Sequence, residues 1–563
     1  MKRQILNFLL LIGFFTVTAQ EGSITGSVSD AINNDPLPGV NVVVKNTNNG
    51  TNTDFNGNFT LEGVNNGDIL VFSYLGFKTL EYTVSNSFNI SISLEEDIEA
   101  LEQVVVLGYV SQKASNISGA VSTVGGDDVE KLKPVRMEDA LQGLPGVSMF
   151  SNGSPGSKPT VIIRGVTSYT GNDPLVIVDG INQSLDDMNS LEPSDIESIS
   201  VLKDASTTAL YGVKGGNGVI VITTKSGSRN QEAKFSFNTS YGEQSPEKTI
   251  GVLNATEYAA ILNEMSLTSG GGLIYSDLSG LGYGTDWQKE IFRIDAPIIS
   301  NNISVSGGTN NSSYFLSAGF LGQEGIIHGG DKQFFDRSTF RANFDTDLSS
   351  KLNMKISNRY TNIKDSGLGD IIFNALNMSP TTPVYADDGS YAISNIITQE
   401  IKNPMAQISN SYGAGNTNSI SGKFELQYDL LKDLKITSRL GYTYVNITSK
   451  GFNPYQFYGV GHNATNANAD LSPITSTDAD GNVTQTWNSV NESKTTYFNY
   501  TYDINASYSF SIDDNNFNVF AGFQIAKNTG NQVSGSKVGV PFNSWTFADL
   551  SSATGPQDEE STG

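Results

Sequence analysis

Four glycines in the stretch Val201–Lys225, VLKDASTTALYGVKGGNGVIVITTK, raise the first chemical question. Gly212, Gly215, Gly216 and Gly218 could cradle a phosphate if they opened a helix, because helix N-terminal amides face an anion. The order of elements argues against it. Asp204 is placed to cap a short helix over Ala205–Tyr211, the glycines follow, and the apolar, β-branched run Val219–Thr224 reads as a buried strand. Phosphate loops run strand, glycines, helix, and no Gly-Lys-Ser/Thr follows here. The expectation is a set of tight structural turns at Gly212, Gly215 and Gly218.

The other reactive side chains offer no catalytic constellation. Arg164, Asp179 and Asp204 are the charges set most tightly among apolar residues. Their expected role is buried pairing that holds one domain together. The chain has no cysteine, which removes disulfides, thiolate metal sites and cysteine nucleophiles. Its two histidines, His328 and His462, sit in loop-like surroundings and make neither a metal cluster nor a Ser-His pair. A glycosidase would need two carboxylates across one cleft; the many Asp and Glu read instead as solvated surface. The chain is therefore expected to be no enzyme and to carry no metal and no cofactor.

Composition narrows the class further. The 563 residues are too many for one ordinary domain, and their formal net charge of −24 disfavours nucleic acid and attachment to anionic lipid. Beyond the N-terminus no apolar run is long enough for a helical membrane span. A β-barrel remains open, because its alternating strands escape hydropathy scans, and 23 Tyr and 29 Phe are available to furnish one. Residues 1–19 read as a signal peptide: Met1-Lys2-Arg3 is the basic start, Ile5–Val17 the apolar core, and cleavage follows Ala19.

Residues 20–94 read as an independent small β-sandwich. Strands are expected at Gly22–Val28, Val40–Val44, Asn58–Leu61, Asp68–Tyr74 and Asn89–Leu94, separated by Asn-, Gly- and Pro-rich turns. Residues 95–109 form a linker: an acidic start, then Val104, Val105, Val106, Leu107, Gly108 and Tyr109. That run has strong β propensity and no obvious partner strand. It reads either as a segment that adds itself to another protein's sheet edge or as an ordinary strand between domains. Residues 110–228 are mixed α/β, with a short helix at Met137–Gly143, strands at Val161–Val166, Leu175–Val178 and Ile199–Leu202, and a helix or turn from Ser194.

From Phe235 the period becomes two over long runs. In Phe498–Phe510 the even positions are Phe, Tyr, Tyr, Ile, Ala, Tyr and Phe, and every odd position is polar. Such strands fit a transmembrane antiparallel barrel wall over residues 229–563. Nine strands are expected, at 235–241, 298–306, 313–320, 335–344, 352–360, 418–430, 434–447, 496–510 and 517–527. The gaps between them alternate long and short, as external loops and periplasmic turns do. Bacterial barrels have even strand numbers, and residues 555–563 are polar and loop-like, so the barrel is expected to be incomplete. A plugged barrel of about 22 strands would need roughly thirteen more, on the order of 430 residues.

Two resemblances follow. The run from Gly26 to Val64, with GDILVFSYLGFKT after it, resembles the carboxypeptidase-regulatory-like domain, a name that implies no peptidase activity. Across Gly22–Ala526 the chain resembles the SusC/RagA family of TonB-linked outer-membrane transporters. The motifs that carry it occur in order: LEQVVVLGYVSQK, DPLVIVDG, DIESISVLKDASTTALYGVKGGNGVIVITTK, GTDWQKEIF, NISVSGGTNNSSYFLSAGFLGQEGII and TPVYADDGSYA. Val110 departs where glycine is usual, and Val213 and Gly216 replace commoner Ser and Ala. The resemblance implies that residues 110–228 are a plug and that Val104–Tyr109 is the Ton box, bound by TonB, which an inner-membrane complex energises. It further implies a SusD-like surface lipoprotein as lid, oligosaccharide or peptide substrates, and an outer-membrane location with the N-terminal domains periplasmic. A passive pore or an adhesin is the alternative; neither needs a plug or a Ton box.

Overall fold

The computed structural model describes residues 22–31, 33, 35–45, 47, 49–74, 77–85, 89–94, 104–106, 111–113, 119–151, 153–169, 171–394, 401–454, 474–477, 483–512 and 515–554. The signal peptide, the acidic linker start, Leu107–Tyr109, His462 and residues 555–563 lie outside the described residues. The chain divides into two compact units, one holding residues up to Val106 with Val110–Ser118, the other Leu107–Tyr109 with Gly119–Gly563.

Among the described residues of the first unit, seven strands build a sandwich: β1 (Gly22–Asp30), β2 (Asn41–Val44), β3 (Gly50–Asn52), β4 (Asn58–Val64), β5 (Ile69–Ser73), β6 (Leu80–Thr83) and β7 (Asn89–Leu94). They form a three-stranded sheet, β4-β1-β7, and a four-stranded sheet, β3-β2-β5-β6. Alternate residues of each strand turn inward, so Ile24, Val42, Phe59, Leu61, Phe72 and Ile92 share one apolar core. Strands β3 and β6 were not expected from sequence; both are short, and β3 is Gly-Thr-Asn, with turn rather than strand composition. Two further strands, β8 (Val104–Val106) and β9 (Ser111–Lys113), pair antiparallel.

The second unit opens with β10 (Val121–Gly125), α1 (Gly126–Leu132), β11 (Val147–Phe150), β12 (Thr160–Ile163), β13 (Leu175–Val178), β14 (Ile181–Gln183), β15 (Ile196–Leu202), α2 (Ala205–Thr208) and β16 (Val219–Thr224). Five of these strands form a mixed sheet in the order β10-β15-β16-β13-β14. Strand β16 lies at its centre and is covered on both faces, which is why Val219–Ile222 reads as continuous apolar sequence. Val129, Met137, Leu141, Val161, Ile199 and Ile220 belong to its core.

The wall follows, from β17 (Gln231–Gln244) onward. Helices α3 (Ala255–Thr268) and α4 (Trp287–Ile291) precede β18 (Ala296–Gly308), β19 (Ser312–Glu324), β20 (Phe334–Ser349) and β21 (Leu352–Ser366). Helices α5 (Ile371–Asn377) and α6 (Pro404–Ser409) precede β22 (Tyr412–Leu431) and β23 (Leu434–Asn453). A small hairpin of β24 (Ile474–Thr477) and β25 (Val483–Thr486) precedes β26 (Ser489–Ile512) and β27 (Asn515–Val538). Strands β17 to β23, β26 and β27 form one antiparallel sheet with sequential neighbours. Each of the nine wall strands expected from sequence is present and longer than expected. Among the described residues β17 and β27 are edges, so the sheet is open.

The sheet's polarity is inverted relative to a soluble sandwich. On β26, Thr501, Asp503 and Asn505 are buried, while Tyr502, Ile504 and Tyr508 are exposed. On β20, Arg337 and Arg341 are 1% and 3% exposed, while Phe340 is 53% exposed. The long gaps, expected as plain loops, contain α3 to α6. Trp287, Ile291, Ile371, Ala375 and Ile408, together with Ile327, pack α4, α5 and α6 into a cluster of their own.

Candidate functional site

The inward wall positions of β20 to β23 carry a row of cations. Side chains separated by four residues on a strand share a face, so Arg337 and Arg341 point the same way from β20. Arg359 on β21, Lys423 on β22 and Arg439 on β23 continue the row. Most of their partners lie in the mixed α/β segment, although Glu425 on β22 also pairs with Arg439 at 2.7 Å and lies 3.7 Å from Lys423. Arg337 pairs with Glu192 at 3.2 Å and donates to the Val135 carbonyl at 2.9 Å. Arg341 donates to the Asp195 carbonyl at 3.2 Å and to the Thr224 hydroxyl, and its guanidinium lies 3.5 Å from Asp179. Arg359 donates to Gln183 at 3.3 Å, Lys423 to the Asp179 carbonyl at 3.0 Å, and Arg439 to the Gly180 carbonyl at 3.3 Å.

Two turns of the segment receive these cations. Asp179-Gly180 joins β13 to β14 as a two-residue hairpin loop with φ values of 50° and 83°, the geometry that Asp-Gly favours. The Asp179 carboxylate accepts from the Thr224 amide at 3.0 Å and from its hydroxyl at 2.5 Å, tying the loop to the end of β16. The second turn is a single 3₁₀ turn, Pro193–Asp195, with Glu192 before it. Asp195 is buried, accepts from Ser317 at 2.7 Å, and leaves its second carboxylate oxygen without a hydrogen-bond partner. Burial pushes the Asp195 carboxyl up to about 6, against the pull of Arg341 and the Ser317 hydroxyl, and Glu192 adds to the rise. This arrangement can hold one body inside another by many charge-assisted contacts, and it offers no reacting pair.

Of the residues singled out from sequence, Asp179 lies within this cluster, while Arg164, Asp204, Gly212, Gly215 and Gly218 fall toward the opposite ends of the same sheet's strands. Arg164 has φ 58° and pairs with Asp204. The pair is partly exposed, which corrects the expectation of burial for these two. The Asp204 side chain does not cap α2; it accepts from the Ala120 amide at 2.5 Å, and the cap is made by its backbone carbonyl to Thr207 and Thr208. The Ala120 amide and then Arg164 hold the Asp204 carboxyl below the usual range. The expected helix over Ala205–Tyr211 stops at Thr208 and continues as a 3₁₀ stretch, broken at Gly212 with φ 56° and ψ −142°. At Gly218 φ is 88°, and a side chain there would meet Ile163 at 2.8 Å. Gly215 packs against the Thr208 carbonyl. Strand β12 ends at Ile163, three residues short of expectation, because Arg164 and Gly165 both take positive φ.

Sequence reasoning missed Glu192, Asp195, Arg337 and Arg341. The available signal was charge on the polar face of a strand whose other face is apolar and aromatic. The Val104–Val106 run also has the partner that the sequence did not reveal: Ser111–Lys113 pairs with it, and that triplet is polar. His328 is exposed on a connection between wall strands, and among the described residues no group of acidic or histidine side chains could hold a metal.

With this geometry in place, the comparisons with known proteins give it a family. Residues 113–219 match the TonB-dependent Receptor Plug Domain, and residues 24–106 match the CarboxypepD_reg-like domain. TonB-dependent receptor P3 of Formosa agariphila is 35% identical over 485 residues, covering 83% of this chain and 46% of the relative. TonB-dependent receptor SusC of Bacteroides thetaiotaomicron is 32% identical over 552 residues, covering 91% of this chain and 51% of the relative. The RagAB peptide importer in its open-open state shares the fold with a TM-score of 0.65 at 24% identity, over 81% of this chain and 52% of that one. The chain thus spans about half the length of the curated relatives it matches. It belongs to the TonB-dependent receptors of SusC/RagA type, whose members are receptors and transporters rather than enzymes.

Proposed function

We propose that this chain contributes the periplasmic sandwich, the plug and the first wall strands of an importer. TonB energises that importer to carry oligosaccharides or peptides across the outer membrane. One observation carries the reading: a polar α/β domain is held by charge against the buried face of a sheet whose other face is apolar and exposed. A wall with this polarity suits a bilayer outside and a hydrated lumen inside. The plug closes the lumen, so passage requires work on the plug.

The Ton box is assigned to Val104, Val105, Val106, Leu107, Gly108 and Tyr109. TonB would bind it by strand addition. In this reading β9 occupies the edge that TonB would take, so the β8–β9 pairing opens first; a pair of three-residue strands is a weak competitor. A SusD-like surface lipoprotein lids the external face. The plug spans residues 110–228 and the wall begins at residue 229, with the short turns periplasmic.

Deletion of Val104–Tyr109 from the whole gene product tests the reading. Energised uptake should be lost while the protein still reaches the outer membrane and resists unfolding in detergent. Uptake that survives the deletion and a TonB knockout would make the protein a passive pore or an adhesin.

A further inference from the structure

The cations where the plug meets β20–β22 outnumber the carboxylates they meet. We infer that a chloride ion, or another monatomic halide, seats in this joint and helps to tie the plug to the wall. The inference concerns docking alone and stands whichever solute the passage carries.

A cavity of about 20 Å³ lies at the joint, lined by Asp179 and Gln183 of the plug and by Arg341, Arg359, Ser421 and Lys423 of the wall. About 10–15 Å³ accommodates one water, so the space takes one particle of that size and no large anion. Three cations and one carboxylate line it. Arg341 and Arg359 are buried, and charge at that depth is costly without a counter-charge.

The nearby carboxylates are already engaged. Asp179 accepts from the Thr224 amide and hydroxyl and lies 3.5 Å from Arg341. Arg341 otherwise donates to neutral acceptors: the Asp195 carbonyl, the Thr224 hydroxyl and the Asn343 side chain. Lys423 lies 3.7 Å from Glu425, which Arg439 holds more closely at 2.7 Å. Arg359 is left over. It donates to Gln183 at 3.3 Å, its Nε has no acceptor, and among the described residues no carboxylate pairs with it. A water in the cavity would offer an acceptor and leave the charge unbalanced. Chloride is only slightly larger, accepts from several N–H and O–H groups at once, and supplies the missing negative charge. The Ser421 hydroxyl, also buried, adds a neutral donor to the same lining.

Plug and wall each contribute part of this lining, so the site exists only while the plug is docked. An ion that binds the docked state alone stabilises it by mass action.

Hydrogen–deuterium exchange on the whole gene product in lipid tests this. The amides of β13 and β14 are followed in sodium chloride and in sodium gluconate at equal ionic strength. Screening is then constant, and chloride is exchanged for an anion too large for the cavity. Above half-saturation, exchange through undocking should slow about tenfold for each tenfold rise in chloride, and bromide should substitute for it. Arg359→Leu removes the unpaired cation and should abolish the chloride response while the plug stays docked. Lys158→Gln, at a partly exposed pair with Asp173, should keep it. Crystals of the unaltered protein grown in bromide give a reading that needs no variant: an anomalous peak beside Arg359 is expected. Equal exchange in the two salts, a response retained in Arg359→Leu, or a cavity holding water without bromide would overturn the proposal.

Discussion

The sandwich of β1–β7 and the wall of β17–β27 use the same alternation with opposite polarity. In β7 the buried positions are Ile90, Ile92 and Leu94 and the exposed ones are Asn and Ser. In β26 the buried positions include Thr501, Asp503 and Asn505, and the exposed ones are aromatic or aliphatic. A period of two therefore identifies a strand without saying which face is the interior. The interior is set by what each face meets: another apolar sheet in the sandwich, a charged plug in the wall. The cost of a substitution should follow the same division.

The largest effects are expected where a buried face loses its proper partner. Phe72→Ala empties the centre of the sandwich core and should destabilise that domain by about 3–5 kcal/mol in thermal or denaturant unfolding. Arg341→Ala is the corresponding change in the wall. It leaves Asp195 and Asp179 without their buried cation, and should loosen the plug by about 3–5 kcal/mol. Limited proteolysis of the plug at constant barrel integrity would register it. A loss confined to the wall would separate plug docking from wall stability.

Slightly smaller effects sharpen the contrast. Phe340→Lys places a charge on the exposed apolar face and should cost about 2–4 kcal/mol in lipid if that face meets the bilayer midplane. In an aqueous setting the same change would be close to neutral. The pH dependence of plug docking should carry the mark of Asp195. Its carboxyl sits near 6 when docked, above its ordinary 3.8. The docked state therefore holds a proton that the undocked state releases. Its contribution to stability is fully present below pH 4 and is lost as pH rises through about 6. The change is on the order of 3 kcal/mol. Asp195→Asn should flatten that slope, read as plug melting temperature against pH.

The division also explains what could be read from sequence. All nine wall strands were legible, because each combines strict alternation with aromatic residues on one face. The central plug strand was legible from Val219–Ile222, since burial on both faces writes a continuous apolar run. The helices in the long connections were not. Helices α4, α5 and α6 have five, seven and six residues, too few for a 3.6-residue period to show. Helix α3 did carry a signal: Asn254 and Glu257 form a capping box at its start. The charge row was hidden because its partners are far apart in the chain, as Glu192 and Arg337 are, and no local pattern joins them. Arg164 and Asp204 stood out because apolar neighbours flank them in sequence, yet their pairing is partly open to solvent.

The inverted wall is the central claim, and spin labels on a cysteine-free chain test it most directly. Nitroxides at Phe340→Cys and Thr339→Cys, neighbours on β20, would be compared in lipid vesicles for collision with oxygen and with a water-soluble nickel chelate. The label at position 340 should favour oxygen, as a lipid-facing site does, and the label at 339 should collide poorly with both, packed against the plug. Equal nickel accessibility at the two positions would place water on both faces and contradict a membrane wall.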